Sequence, residues 1–387
     1  MSVPHLLVVD DNELNRDMLA RRIRQQGYTY DMAENGREAL EKMAATAYDL
    51  VLLDIMMPEV DGYAVLEQAK ANPALLHIPI IMISAIDEIE NTARCIERGA
   101  DDYLTKPFNP TLLRARIQSS LEKKRLRDKE QLYAQSLERD LEIGRRIQGS
   151  FLPETLPFAP GWELVAAFQP ARQVSGDFYD AFELAGKTHL GIVMADVCDK
   201  GVGAALFMAL FRTLIRAMSE YNFPGQSATP EEIAASMLKT IWQTNEYISR
   251  THGNANMFAT VFFGVQNLQT GVLHYINGGH EPPLLGRASG ASEYLDPTGP
   301  IVGALPDMEF ELQFVQLEPG DTLLCYTDGV TEARNPEGFF FGEDRLPGML
   351  QASAQASLDL ILESLKTFTD GAEQNDDITM LALRRTT

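Results

Sequence analysis

The chain is poor in cysteine, tryptophan and histidine, with three, two and six among its 387 residues. Cys95, Cys198 and Cys325 stand far apart and lack the paired spacing of a thiolate metal site, so they read as free thiols of a reducing compartment. No apolar run reaches the roughly 18 residues that a bilayer span requires. The start, Met1-Ser2-Val3-Pro4-His5, has no basic segment, and Leu6–Val9 is too short for a secretory signal. No membrane insertion and a cytoplasmic location are therefore expected. Positive charge is scarce as well: 33 Lys and Arg stand against 55 Asp and Glu, a formal net charge of -22. Without a basic excess to neutralise phosphates, a nucleic-acid-binding output is not expected. What the chain has in plenty is carboxylate, the hard oxygen donor that suits divalent cations. Its 45% hydrophobic and 23% charged residues are ordinary for soluble domains, and its length allows two or three of them.

Residues 1–120 alternate short apolar runs with helical patterns, the rhythm of a parallel βα sheet. Strands are predicted at Leu6–Val9, Tyr28–Ala33, Leu50–Leu53, Ile80–Ile83 and Asp102–Thr105, with helices at Asn15–Gln26 and Gly36–Ala45. Five such strands fit a doubly wound α/β fold, whose site lies at the carboxyl ends of the strands. Residues 121–152 belong to a proline-free, densely charged stretch that begins near Thr111 and reads as one helix of about 40 residues, roughly 60 Å long. Its apolar residues follow threes and fours too loosely for a sustained heptad. It is either a solvated charged helix or a connector that pairs with its twin in a homodimer as a coiled coil.

Pro153, Pro157, Pro160 and Gly161 then end the helix and open a third region, 153–387. Strands are predicted there at Glu163–Phe168, His189–Ala195, Phe258–Val265, Val272–Ile276, Asp321–Tyr326 and Ile378–Leu383. Helices are predicted at Gly203–Ser219, Pro230–Arg250 and Leu358–Phe368. Strands in runs and helices in blocks indicate an α+β domain with largely antiparallel pairing.

Asp10 and Asp11 end the first predicted strand and Asp54 ends the third, so a doubly wound sheet gathers three carboxylates at one edge. Such a set repels itself unless a cation sits among it, which points to Mg²⁺. Ser84 and Lys106 follow the fourth and fifth strands and could hold the oxygens of a phosphoryl group on Asp54. Singly, each residue could be a helix cap or a strand end. Together, VVDDN, LLDIMMPEVDG, ISA and YLTKPF resemble the receiver domains of two-component response regulators, over residues 5 to about 120. The resemblance implies a flavodoxin-like fold with Asp54 as phospho-acceptor and Asp11, assisted by Asp10, as metal ligand. It also implies the Met56 carbonyl as a further ligand, Ser84 as switch hydroxyl, Lys106 as phosphate-sensing lysine and Tyr103 as switch aromatic. A sensor histidine kinase is the implied phosphodonor.

The third region repeats one theme, a carboxylate at the end of an apolar strand: Asp177, Asp196, Asp328 and the pair Asp376-Asp377. Carboxylates converging there could bridge two divalent ions about 4 Å apart, which acidify a water and clamp phosphate oxygens. Any one of these motifs could merely mark a turn. In order, with LERDLEIGRRIQGSFLP, ADVCDKGVGAALFMAL, MFATVFFG, NGGHEPPLL and YTDGVTEA, they resemble the bacterial branch of metal-dependent phosphatases related to protein phosphatase 2C. These are the phosphatases of sporulation and stress-sigma-factor control, and the resemblance covers about residues 137–384.

That resemblance implies two packed, mainly antiparallel sheets flanked by helices, and two Mn²⁺ or Mg²⁺. Asp196 would bridge both metals, with the Val197 carbonyl on one; Asp328 and Asp376 would complete the other. Asp177 would orient metal-bound water and support the first metal, while Asp377 would be a neighbour. Cys198-Asp199-Lys200-Gly201 departs from the Ser-Gly-His-Gly or Ser-Gly-Lys-Gly of many relatives and adds a charge beside the site. The expected function is a phosphoserine/phosphothreonine protein phosphatase under receiver control, with a phosphorylated anti-sigma-factor antagonist as the substrate the family implies. The alternative is a non-catalytic adaptor that uses the same fold to bind a partner. A cyclic-dinucleotide output fits poorly, because Gly278-Gly279-His280-Glu281-Pro282 lacks the carboxylates of a cyclase signature.

Overall fold

The computed structural model describes residues 3–85, 95–107 and 109–387; Phe108, the last residue of the YLTKPF motif, lies outside the described residues. The chain forms two compact units, Met1–Leu137 and Glu138–Thr387.

The first unit holds five parallel strands, β1 (His5–Val9), β2 (Thr29–Ala33), β3 (Leu50–Asp54), β4 (Ile80–Ser84) and β5 (Asp102–Thr105), in the order β2-β1-β3-β4-β5. Side chains alternate across a strand, so β1 and β3 feed two cores. Leu7, Val9, Val51 and Leu53 enter one cluster, and Leu6, Val8, Leu50 and Leu52 the other. A sheet covered on both faces needs such unbroken apolar runs. Helices α1 (Glu13–Gln25), α2 (Gly36–Ala45) and α3 (Gly62–Ala71) start at Asn12, Asn35 and Asp61, whose side chains accept from free backbone N–H groups of the first turn. The order reverses at β1, between β2 and β3, which makes their carboxyl ends the ligand crevice of this fold. Helix α4 (Pro110–Gly149) buries Leu113 and Ile117 in the second core. Further along, Leu126, Leu132, Tyr133, Leu137, Ile143 and Ile147 are exposed.

The second unit is a sandwich of two antiparallel sheets. One has β7 (Phe178–Leu184), β8 (His189–Val197), β9 (Ala259–Asn267), β10 (Val272–Gly278) and β13 (Gln313–Gln316), ordered β13-β10-β9-β8-β7. The other has β6 (Trp162–Gln169), β11 (Leu284–Gly286), β12 (Ser292–Tyr294), β14 (Thr322–Tyr326) and β15 (Ile378–Arg385), ordered β12-β11-β14-β15-β6. Ile192 and Met194 of β8, Phe262 of β9, and Leu381 and Leu383 of β15 meet between the sheets. The alternate residues face outward. Val193, Ala195 and Val197 pack under α5 (Val202–Asn222) and α6 (Pro230–His252), while Met380 and Ala382 pack under α7 (Ala354–Thr369). The result is helix, sheet, sheet, helix. By length and composition α5 could cross a bilayer. In this fold its Met208, Phe211 and Ile215 are core residues, and its Arg212 and Arg216 pair with Asp180.

Sequence patterning left out four strands of this unit. In β7, Asp180 interrupts the apolar pattern, yet it is buried and held by Arg212 Nε at 2.8 Å and by Arg216 Nη1 at 3.3 Å. Strands β11 and β12 are three residues each, and β13 is a polar edge strand. Short or polar edges give little periodic signal.

Candidate functional site

In the first unit, Val9 of β1 lies opposite Leu53 of β3, so Asp10 emerges beside Asp54 at the same sheet edge. Asp10 and Asp54 are buried, Asp11 is exposed, and their oxygens lie within 4.8 Å of one another. Lys106 Nζ sits 2.7 Å from Asp10 Oδ2 and 2.8 Å from Asp54 Oδ1. Burial pushes the Asp54 carboxyl up to about 6; Lys106 opposes the rise, and Asp10 and Asp11 add to it. Burial works to lower the Lys106 pKa, but the two carboxylates outweigh it and the net shift is upward. One ammonium thus pairs with two of three clustered carboxylates, and the remaining negative charge fits a hard divalent cation such as Mg²⁺.

Ser84, buried at the end of β4, lies beside Thr105 of β5 in register. Tyr103 packs partly buried against the Leu7–Val51 core. Met56 follows β3 with its side chain exposed. The close quarters are set by Gly62: an added Cβ would fall 2.2 Å from the Asp54 carbonyl oxygen, so a side chain there cannot coexist with this loop.

In the second unit, each sheet brings carboxylates to one end of the sandwich. Phe178 pairs with Ala195, which sets Asp177 and Asp196 side by side on β7 and β8. Tyr326 pairs with Met380, and the next residues, Thr327 and Thr379, are joined by a backbone hydrogen bond of 3.1 Å. Asp328 opens a single helical turn just beyond, against the loop that carries Asp376 and Asp377. Gly329 permits that approach, since a Cβ there would meet the Asp377 carbonyl oxygen at 2.0 Å. The sheets are tied together at Asp177, whose Oδ2 accepts from Thr327 Oγ1 at 2.7 Å and Thr379 Oγ1 at 2.5 Å.

Burial and the neighbouring Asp196 raise the Asp177 carboxyl well above its ordinary range. Burial and then Asp328 raise Asp196 to about 7. Asp328 is raised by burial, then by Asp376 and Glu332. Carboxylates crowded in this way are short of positive charge, and an all-oxygen donor set of this kind fits divalent cations. Val197, buried at the end of β8, completes the predicted set. Asp377 has both oxygens engaged by backbone, accepting from Ala171 N at 2.7 Å and Gly176 N at 3.2 Å, which fits it for holding the Asp177 loop. A cleft of about 490 Å³ opens beside Asp376, lined also by Gly329, Arg334, Lys366 and Glu373 among others.

Three further contacts went unread in the sequence. Gln148, buried near the end of α4, exchanges two hydrogen bonds with the Ser175 backbone: its Nε2 donates to Ser175 O at 2.5 Å, and its Oε1 accepts from Ser175 N at 3.0 Å. Ser175 Oγ in turn accepts from Asp177 N at 3.0 Å. Lys200 Nζ lies 2.7 Å from Asp376 Oδ2. Of the threonines that cradle Asp177, Thr327 stands within the quoted YTDGVTEA motif and Thr379 two residues past Asp377, and that adjacency was the available signal.

Residues 6–118 match the response regulator receiver domain, and residues 186–386 match Stage II sporulation protein E (SpoIIE). The chain is 45% identical over 263 residues to Protein IcfG of Synechocystis sp., covering 64% of this chain and 41% of that protein. It is 44% identical over 117 residues to the probable transcriptional regulator ycf27 of Cyanidium caldarium, covering 30% of this chain and 46% of that protein. It therefore spans less than half the length of either. Phosphoserine phosphatase RsbU of Bacillus subtilis is 28% identical over 256 residues, covering 65% of this chain and 71% of RsbU. The SiaA-PP2C domain of Pseudomonas aeruginosa shares the fold of the second unit, with a TM-score of 0.50 at 24% identity over 65% of this chain and 98% of that one.

Proposed function

The chain belongs to the SpoIIE family, with a receiver domain ahead of the family's phosphatase fold, and from that premise we propose a metal-dependent phosphoserine/phosphothreonine protein phosphatase controlled by phosphorylation of Asp54. The observation that carries the reading is the convergence of Asp177, Asp196, Asp328 and Asp376 from both sheets onto one end of the sandwich, with Asp177, Asp196 and Asp328 each raised first by burial and then by a neighbouring carboxylate. Asp196 and the Val197 carbonyl would hold one divalent ion, and Asp196, Asp328 and Asp376 the other. When bound, the ions supply an acidified water and positive charge for the phosphoryl oxygens. Asp177, fixed by Thr327 and Thr379, orients the attacking water, and Asp377 keeps the Gly176-Asp177 loop in place. The adjoining cleft receives the protein chain that carries the phosphoresidue.

The domains we assign are a receiver at 1–120, a helical linker at 121–152 and a phosphatase at 153–387. The phosphodonor is a sensor histidine kinase. Asp10, Asp11, Asp54 and the Met56 carbonyl would hold Mg²⁺, and Ser84, Lys106 and Tyr103 would respond to a phosphate on Asp54. Similarity to RsbU, named a phosphoserine phosphatase, supports a phosphoprotein substrate, and the substrate we assign is a phosphorylated anti-sigma-factor antagonist. The exposed apolar residues from Leu126 to Ile147 support pairing of α4 in a homodimer of a cytoplasmic protein. The decisive measurement is Mn²⁺-dependent hydrolysis of an aryl phosphate. A rate no higher than that of an Asp196→Asn, Asp328→Asn double variant would refute the enzyme. Receiver control is tested with beryllofluoride on wild type and on Asp54→Ala; equal rates throughout refute it.

A further inference from the structure

Lys200 stands three residues past β8, where the chain turns into α5. Its Nζ donates to Asp376 Oδ2 at 2.7 Å and to the Asn375 carbonyl oxygen at 2.9 Å. The same ammonium acts on Asp328, pulling its carboxyl down against burial and the charges of Asp376 and Glu332. Asp328 and Asp376 are the carboxylates that the proposed reading gives to the second divalent ion alone. A cation already serves that pair, and it is covalently part of the chain.

The loop is built to put it there. Asp199 and Gly201 both adopt positive φ, +72° and +87°, and Lys200 N donates to Asp199 Oδ1 at 2.8 Å. These turns send the lysine side chain across to a loop that is 176 residues away in sequence. Asp177, by contrast, is satisfied by threonine hydroxyls, which carry no charge.

We propose that Lys200 is a resident counter-ion for the second metal position, one that a divalent ion must displace from Asp376 in order to bind. The inference rests on the metal-phosphatase reading and adds a competition to it. An ammonium and a divalent ion on the same carboxylate oxygen repel each other, and that repulsion offsets much of what the second cation gains there. The ammonium can leave cheaply. The Lys200 and Asp376 side chains are 42% and 39% exposed, and pairs so exposed shift an equilibrium by about twofold to fivefold. The second ion therefore binds more weakly than its ligand set alone would allow, while the Asp177–Asp196 side is unaffected.

Mn²⁺ titration of the full chain, followed by the electron paramagnetic resonance of the free ion, tests this. An Asp11→Asn background weakens the receiver's own site. Lys200→Met, or Lys200→Gln should the first fold poorly, is expected to tighten the weaker ion about twofold to fivefold. Lys200→Arg, which keeps the charge, should leave it weak. The Mn²⁺-induced rise in melting temperature should grow in Lys200→Met for the same reason. If Lys200→Met binds both ions with unchanged affinity, the counter-ion role is overturned and the phosphatase reading stands. If the parent binds no more Mn²⁺ than an Asp196→Asn, Asp328→Asn control, the phosphatase reading itself falls.

Discussion

Replacing Gln148 by methionine keeps the length of the side chain and removes both hydrogen bonds that join the end of α4 to Ser175. Gln148 and Ser175 are 8% and 1% exposed, so water does not readily replace what is lost. Each buried backbone group left unpaired costs about 1–3 kcal/mol, and the substitution strands two of them, the N–H and the C=O of Ser175. A loss of about 2–6 kcal/mol is therefore expected, a large part of the roughly 5–15 kcal/mol that holds a domain together. The chain has two tryptophans, Trp162 and Trp242, and both lie in the second unit. Tryptophan fluorescence during urea unfolding consequently reports on that unit without interference from the receiver. Because Ser175 Oγ accepts from Asp177 N, Mn²⁺ affinity should weaken along with stability. A shift below about 0.5 kcal/mol with unchanged Mn²⁺ affinity would show that the contact neither stabilises the loop nor positions Asp177.

Gly62→Ala should cost the receiver about 1–3 kcal/mol and slow phosphorylation of Asp54 by a small phosphodonor, because the new Cβ must push away the Asp54 carbonyl that it would meet at 2.2 Å. Labelling as fast as in wild type would contradict this. Asp54 gives a pH dependence whose sign is fixed by its upward shift to about 6. In metal-free buffer the stability it contributes is present below the unfolded carboxyl pKa of about 4 and is lost as pH rises through about 6. Asp54→Asn should therefore melt higher than wild type at pH 7.5, by roughly 1–3 kcal/mol, and the gap should close by pH 4. A gap of constant size across that range would mean that Asp54 does not titrate as its burial requires.

How far the fold could be read depended on what each residue's partner was. Strands β1, β3 and β4 are buried on both faces, so they had to be apolar along their length and stood out. Strand β7 did not, because Asp180 looks like a surface residue until Arg212 and Arg216 are brought onto it from α5. The carboxylates were legible for a related reason: an acid at the end of an apolar strand has a position fixed by the strand itself. Gln148 and Lys200 owe their places to residues 27 and 176 positions away. No local pattern encodes contacts of that range. In the sequence Lys200 reads only as part of an unusual loop, and its pairing with Asp376 depends on the two sheets meeting, since one follows β8 and the other precedes β15.

The same chemical pair, a lysine 2.7 Å from an aspartate, serves both carboxylate sites, and burial separates what each can do. Lys106 is 18% exposed and engages two buried carboxylates at once, Asp10 and Asp54. An ammonium held by two partners in a poorly solvated place loses much by leaving, so it stays when a cation arrives and remains available to an oxygen newly attached to Asp54. Lys200 is 42% exposed and has one carboxylate partner, Asp376. Water can take over its solvation almost without loss, so it can yield to a divalent ion. On the proposed reading, Asp54 keeps its phosphate because the receiver's lysine is fixed beside it. The second site is open to metal, and to a phosphate carried by another protein, because its lysine is free to move aside.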